Sequence, residues 1–117
     1  MLTLPIKKQW FDMIRSGEKT EEYRKMSIYW ARRFEKLWGK DWLQVADLGI
    51  PYDTAFPGVS GIHTVRFRNG YRADSPAITA ECSLTIGTGN EEWGAEPGEK
   101  YFILTIYAWR DEHYGNQ

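Results

Sequence analysis

The 117-residue chain has little of the chemistry that usually announces a function: one cysteine, Cys82, and two histidines, His63 and His113. A single thiol forbids an internal disulfide framework and any multi-thiolate metal site. The histidines show neither H-x-x-x-H nor H-E-x-x-H spacing, so no zinc site is expected. With so few of them, no Ser-His-Asp order finds support either. GTGN at 87–90 falls short of a G-x-G-x-x-G loop, and acidic residues rather than a helix follow it. No run approaches the roughly 18–20 apolar residues of a membrane span. MLTLPIKKQW has no long apolar stretch and no small-residue cleavage site. The expectation is a cytoplasmic protein with no cofactor and no membrane contact. Repeats, low-complexity segments and linkers are missing too, so one domain over 1–112 is expected, with HYGNQ (113–117) as a polar tail.

What the chain does have is apolar and aromatic content. Hydrophobic residues make up 42%, enough for a core without a staple. Aromatics reach 15%, and they serve either as core filling or as stacking platforms for bases. Net charge is −1, but the sum hides a split. Residues 1–40 hold ten Lys/Arg against five Asp/Glu; residues 41–117 hold five against eleven. A basic N-terminal segment permits an anionic partner, provided the fold gathers it on one surface.

Periodicity supplies the elements. Leu2, Leu4 and Ile6 alternate as in a short strand. Trp10, Phe11 and Ile14 share one helical face, and Gly17 stops that helix as a C′ glycine does. Thr20 to Lys25 reads as extended. Ser27 is the expected N-cap of a second helix whose stripe is Trp30, Ala31, Phe34, Leu37 and Trp38, all assigned to the core. Gly39 closes it. Asp41 then caps a shorter helix with Trp42, Leu43, Ala46 and Leu48, and 50–61 is a loop. Val65 and Phe67 alternate with Arg66 and Arg68 before an Asn69-Gly70 turn. Ile78, Ala80, Cys82, Leu84 and Ile86 face one way along the next strand, and Thr79, Glu81, Ser83 and Thr85 the other. YFILTIYAW is apolar on both faces, as in a strand covered on both sides, and 87–100 reads as a long acidic loop. Helices early and strands late define an α+β domain with a sheet or small barrel.

The most informative stretch is SGEKTEEYRK, with Gly17, Lys19, Glu22 and Arg24 spaced G-x-K-x-x-E-x-R. In an extended strand Thr20, Glu22 and Arg24 share one face and Glu21 and Tyr23 the other. Glu22 and Arg24 are then i, i+2 neighbours, and Lys19 stands at the turn exit within reach of both. Such a trio can orient a polar ligand: the carboxylate accepts from amino groups and the guanidinium grips phosphate or carbonyl oxygens. A lysine crowded by Arg24 can also have its pKa lowered toward that of a base. The plainer account is an exposed strand whose charges pair weakly.

WFDMIRSGEKTEEYRK resembles the opening of an ASCH domain, a family of the PUA-like superfamily in which G-x-K-x-x-E-x-R follows a short helix. FRNGY at 67–71 and EEWGAEPGEKYFILTI at 91–106 are similar to segments of small bacterial and phage-type members. The resemblance implies a small β-barrel with flanking helices, a cleft where Lys19, Glu22 and Arg24 meet, and RNA or nucleotide ligands. Some small members resemble N4-acetylcytidine amidohydrolases, in which a lysine and a threonine of this motif act with a glutamate elsewhere. Lys19 matches the lysine, whereas Glu22 occupies the threonine position and Thr20 lies two residues from it. Other members are described as ribonucleases.

Further candidates lie outside the motif. Arg68 and Tyr71 can bind phosphate and stack a base, or simply flank a turn. Trp93 is either a lid on the cleft or an anchor packed under its loop. Glu91, Glu92, Glu96 and Glu99 read as a solvated acidic loop before a cation site. Glu81 either projects beside Lys19 as a general base or faces water. Arg32, Arg33 and Lys36 lie off the second helix's stripe and offer a phosphate-steering surface. The reading is a domain that binds RNA, a nucleotide or a nucleoside through Lys19, Glu22 and Arg24, with Arg68, Tyr71 and Trp93 as further ligand-binding residues. The alternatives are a hydrolase on the same cleft, with Lys19 and Glu22 as catalytic residues, and a protein-interaction module with a vestigial cleft. Whether the chain is an enzyme is left open by its sequence.

Overall fold

The computed structural model describes residues 1–39 and 61–112. The helix expected from Asp41, the loop of 50–60 and the tail 113–117 lie outside the described residues. The elements are β1 (Leu2–Pro5), α1 (Lys8–Ser16), β2 (Glu21–Lys25), α2 (Ile28–Trp38), β3 (His63–Arg68), β4 (Ala77–Thr88), a 3-10 turn at Glu91–Trp93, and β5 (Lys100–Asp111). They form an α+β fold with one mixed sheet in the order β1-β3-β4-β5-β2, curled into a half-barrel. β1 and β3 run parallel; the remaining neighbours are antiparallel.

α1 ends and α2 begins as their capping residues dictate. Gly17 takes the left-handed conformation, φ 87°, and donates its N–H to the Ile14 carbonyl. The Ser27 side chain accepts from the Trp30 N–H at the start of α2. Phe11 and Ile14 of α1, and Ala31, Phe34 and Trp38 of α2, pack on the concave face of the sheet with Leu4, Val65, Phe67 and the alternating set Ile78, Ala80, Cys82, Leu84 and Ile86. Trp30 and Leu37 depart from their core assignment. Both are half-buried and pack against the edge of this cluster.

Curling of the sheet has a local cause. Glu81 pairs with Ala108 and Cys82 with Ile106, which leaves Tyr107 as the extra residue of a β-bulge in β5. A bulge bends its strand and increases the local twist. The two sheet edges are thereby brought together. Arg24 of β2, on one edge, donates to the backbone carbonyl of Pro5 in β1, on the other, at 2.9 Å.

Three expectations are corrected. Coverage on both faces holds for Tyr101 to Leu104, but 107–110 is exposed, because the covering loop reaches only the first half of β5. Residues 87–100 are not one loop: β4 runs to Thr88 and a 3-10 turn follows. The β3–β4 connection is longer than an Asn-Gly hairpin. The Asn69 N–H pairs with the Pro76 carbonyl, and the Asn69 amide donates to the Ile6 carbonyl, so the loop is tied to the end of β1.

Candidate functional site

The turn after α1 delivers the motif. Beyond Gly17, the Lys19 N–H donates to the Met13 carbonyl, which turns the Lys19 side chain back toward the start of β2. In β2, Glu22 pairs with Leu104 of β5 and Arg24 with Phe102, so both lie on the concave face. Tyr23, opposite Ile103, lies on the other face. Period-two alternation therefore separates the charged pair from the aromatic side chain between them.

Lys19 and Glu22 are buried polar residues, at 1% and 5% exposure. The Lys19 ammonium meets Glu22 Oε1 at 3.0 Å and donates to the Trp93 carbonyl at 3.0 Å. It also stands 5.1 Å from the Trp10 ring centroid and 4.9 Å from that of Tyr23, within cation–π range. The other Glu22 oxygen, Oε2, accepts from Arg24 Nη1 at 2.6 Å. Arg24 further donates to the Tyr23 and Pro5 carbonyls, and its guanidinium lies 5.2 Å from the Trp30 ring. One carboxylate is thus shared by two cations whose other donors point at backbone oxygens. Burial lowers the Lys19 pKa from its ordinary 10.5; Glu22 opposes this and Arg24 adds to it.

Over Glu22 and Arg24 opens a cavity of about 250 Å³ lined by Pro5, Lys7, Trp10, Glu22, Tyr23, Arg24, Trp93 and Gly94; Lys19, expected in that lining, lies buried behind Glu22 and does not reach it. Its far wall is held by two tyrosine hydroxyls. That of Tyr23 accepts the Asn90 N–H and donates to Glu21, and that of Tyr101 accepts the Glu96 N–H. The Asn90 side chain caps the 3-10 turn by accepting the Glu92 N–H. Gly94 is left-handed, φ 101°, and a Cβ there would stand 3.0 Å from the Trp10 ring. Trp93 is accordingly both wall and anchor: its side chain lines the cavity and packs against Tyr23, Ala95, Tyr101 and Ile103, while its carbonyl fixes Lys19.

Other sequence candidates are placed elsewhere. Arg68 and Tyr71 line a second cavity, of about 480 Å³, with Thr3, Pro5, Tyr29, Trp30, Arg33 and Gly70. Of the three steering residues Arg33 lines the second cavity; Arg32 and Lys36 are exposed on α2 and line neither of these two. Glu81 does not join Lys19. The strand's alternation puts it on the convex face, in a third cavity of about 440 Å³ with Trp109 and Arg110. Arg66 is tied to Glu112 at 2.6 Å. Among the described residues no three His, Cys, Asp or Glu side chains gather as a metal group, and no helix is long and apolar enough to cross a membrane.

Sequence reasoning missed Trp10, Tyr23, Tyr29 and Trp30 as cavity walls. A signal existed for Tyr23, the one aromatic within the charged strand. For Trp10 and Trp30 the helical stripe pointed to the core, and only their half-buried state shows the second role. Compared with protein-family models, with curated proteins and with solved structures, the chain matches none.

Proposed function

We propose that this chain is an ASCH-type, PUA-like domain that binds RNA, or a nucleotide or nucleoside, in the cavity over Lys19, Glu22 and Arg24. The observation that carries the reading is the buried carboxylate shared by two cations beneath an open cavity walled by Trp10, Tyr23 and Trp93. Replacing such a buried charged trio by well-packed apolar residues is often neutral or stabilising, so a fold has little structural reason to build one. Aromatic walls take the faces of a base. A carboxylate and a guanidinium at the floor match its amino and carbonyl edge. The G-x-K-x-x-E-x-R resemblance supports the same ligand class.

A second reading, a hydrolase acting on RNA or a modified nucleoside, draws on the lowered pKa of Lys19. A lysine brought toward neutrality can serve as base or nucleophile. Glu22 then holds and orients it.

An NMR titration with single-stranded RNA, transfer RNA and a panel of modified nucleosides, followed by product analysis, tests both. Binding at modest salt is expected to shift the amides of residues 17–25 and the indole signals of Trp10 and Trp93. If no ligand perturbs them, the nucleic-acid reading is wrong, and a protein-interaction role takes its place. Product that disappears in Lys19→Ala selects the hydrolase.

A further inference from the structure

The first cavity is too small for a whole nucleotide. At about 250 Å³ it lies below the ~300–1,000 Å³ typical of small-molecule sites. It has room for a ring, and the sugar and phosphate attached to that ring must leave it. The second cavity adjoins it, because Pro5 lines both. Trp30 joins them as well: its ring lies against the Arg24 guanidinium and walls the second cavity.

That second cavity has the chemistry of an anion site. Arg33 and Arg68 both line it, and no carboxylate does among the described residues. Arg15, Arg24 and Arg66 each hold a carboxylate, of Asp111, Glu22 and Glu112 respectively. Arg33 and Arg68 hold none among the described residues; Arg33 instead lies 4.5 Å over the Tyr29 ring. The Nε of Arg68 is buried and has no hydrogen-bond partner among the described residues. An unpaired donor on a charged group costs more than a typical hydrogen bond gains, and a guanidinium that turns toward an anionic oxygen in the cavity recovers that cost. Beside the arginines, Tyr71 stands 87% exposed on the loop after β3, offering a free ring face.

We propose that this second cavity is a phosphodiester subsite. Arg33 and Arg68 grip the phosphate that follows the base held over Glu22 and Arg24, and Tyr71 stacks the next base. The ligand is then a single-stranded oligonucleotide rather than a free nucleoside. This rests on the nucleic-acid reading of the first cavity and goes beyond it in naming the chemical form that is bound.

Isothermal titration at about 50 mM salt, where phosphate contacts are strong, compares a panel of RNA dinucleotides, their component nucleosides, the same dinucleotides with a neutral methylphosphonate linkage, and inorganic phosphate. The dinucleotide is expected to bind about tenfold or more tighter than its nucleosides, the value of one charge-assisted contact. The neutral linkage, Arg33→Ala and Arg68→Gln each remove that gain while nucleoside affinity is unchanged. Arg33 is exposed on α2, so its variant tests the site even where Arg68→Gln fails to fold, a point checked by circular dichroism. A dinucleotide no tighter than its nucleosides overturns the proposal and leaves the first cavity's reading intact. So does inorganic phosphate that binds as tightly as the dinucleotide. Nucleosides and dinucleotides that all fail to bind overturn both.

Discussion

Glu22→Gln conserves shape and removes one charge, so its effect isolates the electrostatics of the trio. In the wild type the carboxylate accepts from Lys19 at 3.0 Å and from Arg24 at 2.6 Å, behind a nearly closed surface. In the variant the amide oxygen accepts from one of the two cations while the amide NH2 faces the other, and no negative charge balances Lys19 and Arg24. Removing one partner of a buried pair costs about 3–5 kcal/mol, a large share of the ~5–15 kcal/mol that holds a domain together. At roughly 4 °C per kcal/mol for this size, Tm falls by about 12–20 °C. The deficit also depends on pH. Burial already depresses the Lys19 pKa, and loss of Glu22 takes away the charge that opposed it. The unfolded chain, with lysine at its ordinary 10.5, then binds more protons than the native state as pH climbs toward that value. Variant stability therefore rises with pH over that window and the deficit narrows. Urea unfolding followed by tryptophan fluorescence between pH 7 and 10 measures both effects. The triple variant Lys19→Met/Glu22→Leu/Arg24→Met is expected to recover most of the loss, since it leaves none of the three charges unpaired below the cavity. A deficit under about 1 kcal/mol with no pH dependence, the behaviour of an exposed pair, refutes the reasoning. A triple variant as unstable as the single one shows that the trio is structural, which removes the support it gives to a ligand.

Three further predictions use the same assays. Gly17→Ala meets open space but must adopt a left-handed φ of 87°, so it destabilises by about 1 kcal/mol with the cavity walls unchanged; an unaffected Tm contradicts the cap. Burial, with a smaller contribution from Glu81, pushes the Cys82 thiol up from 9.0 to about 12. Its contribution is present below pH 9 and declines above it as the unfolded thiol ionises, by about 1.4 kcal/mol at pH 10. Cys82→Ala is expected to lower stability at pH 7 and flatten that decline, and an equal slope in both proteins rejects it. Tyr23→Phe removes the hydroxyl that accepts the Asn90 N–H, which orphans that donor. Faster hydrogen exchange is expected across 89–96, with the amides of β4 unchanged, and protection equal to wild type argues against the anchor.

Much was legible from the chain alone where periodicity and capping act locally. The alternation of Ile78 to Ile86 put Cys82 inside and Glu81 on the opposite face, while whether that face also held Lys19 was left to the fold. Ser27, Gly17 and the Phe34 stripe set both helices because a cap or a 3.6-residue period is complete within a few residues. The i, i+2 spacing of Glu22 and Arg24 was enough to put them together on one face.

Tertiary structure decided how buried the trio is and what surrounds it. Lys19 ends on a carbonyl 74 residues away, and Arg24 on one 19 residues back in the opposite edge strand. Neither contact has a local pattern, because each joins segments far apart in the chain that meet only in the folded sheet. The division of the candidates between two cavities has the same origin. Arg68 ends β3, which pairs with β1, and Tyr71 follows it, whereas Glu22 and Arg24 lie on the opposite edge, where β2 closes on β5. Spacing along a chain reports which residues share a face; only the closing of that face in space reports which of them share a site.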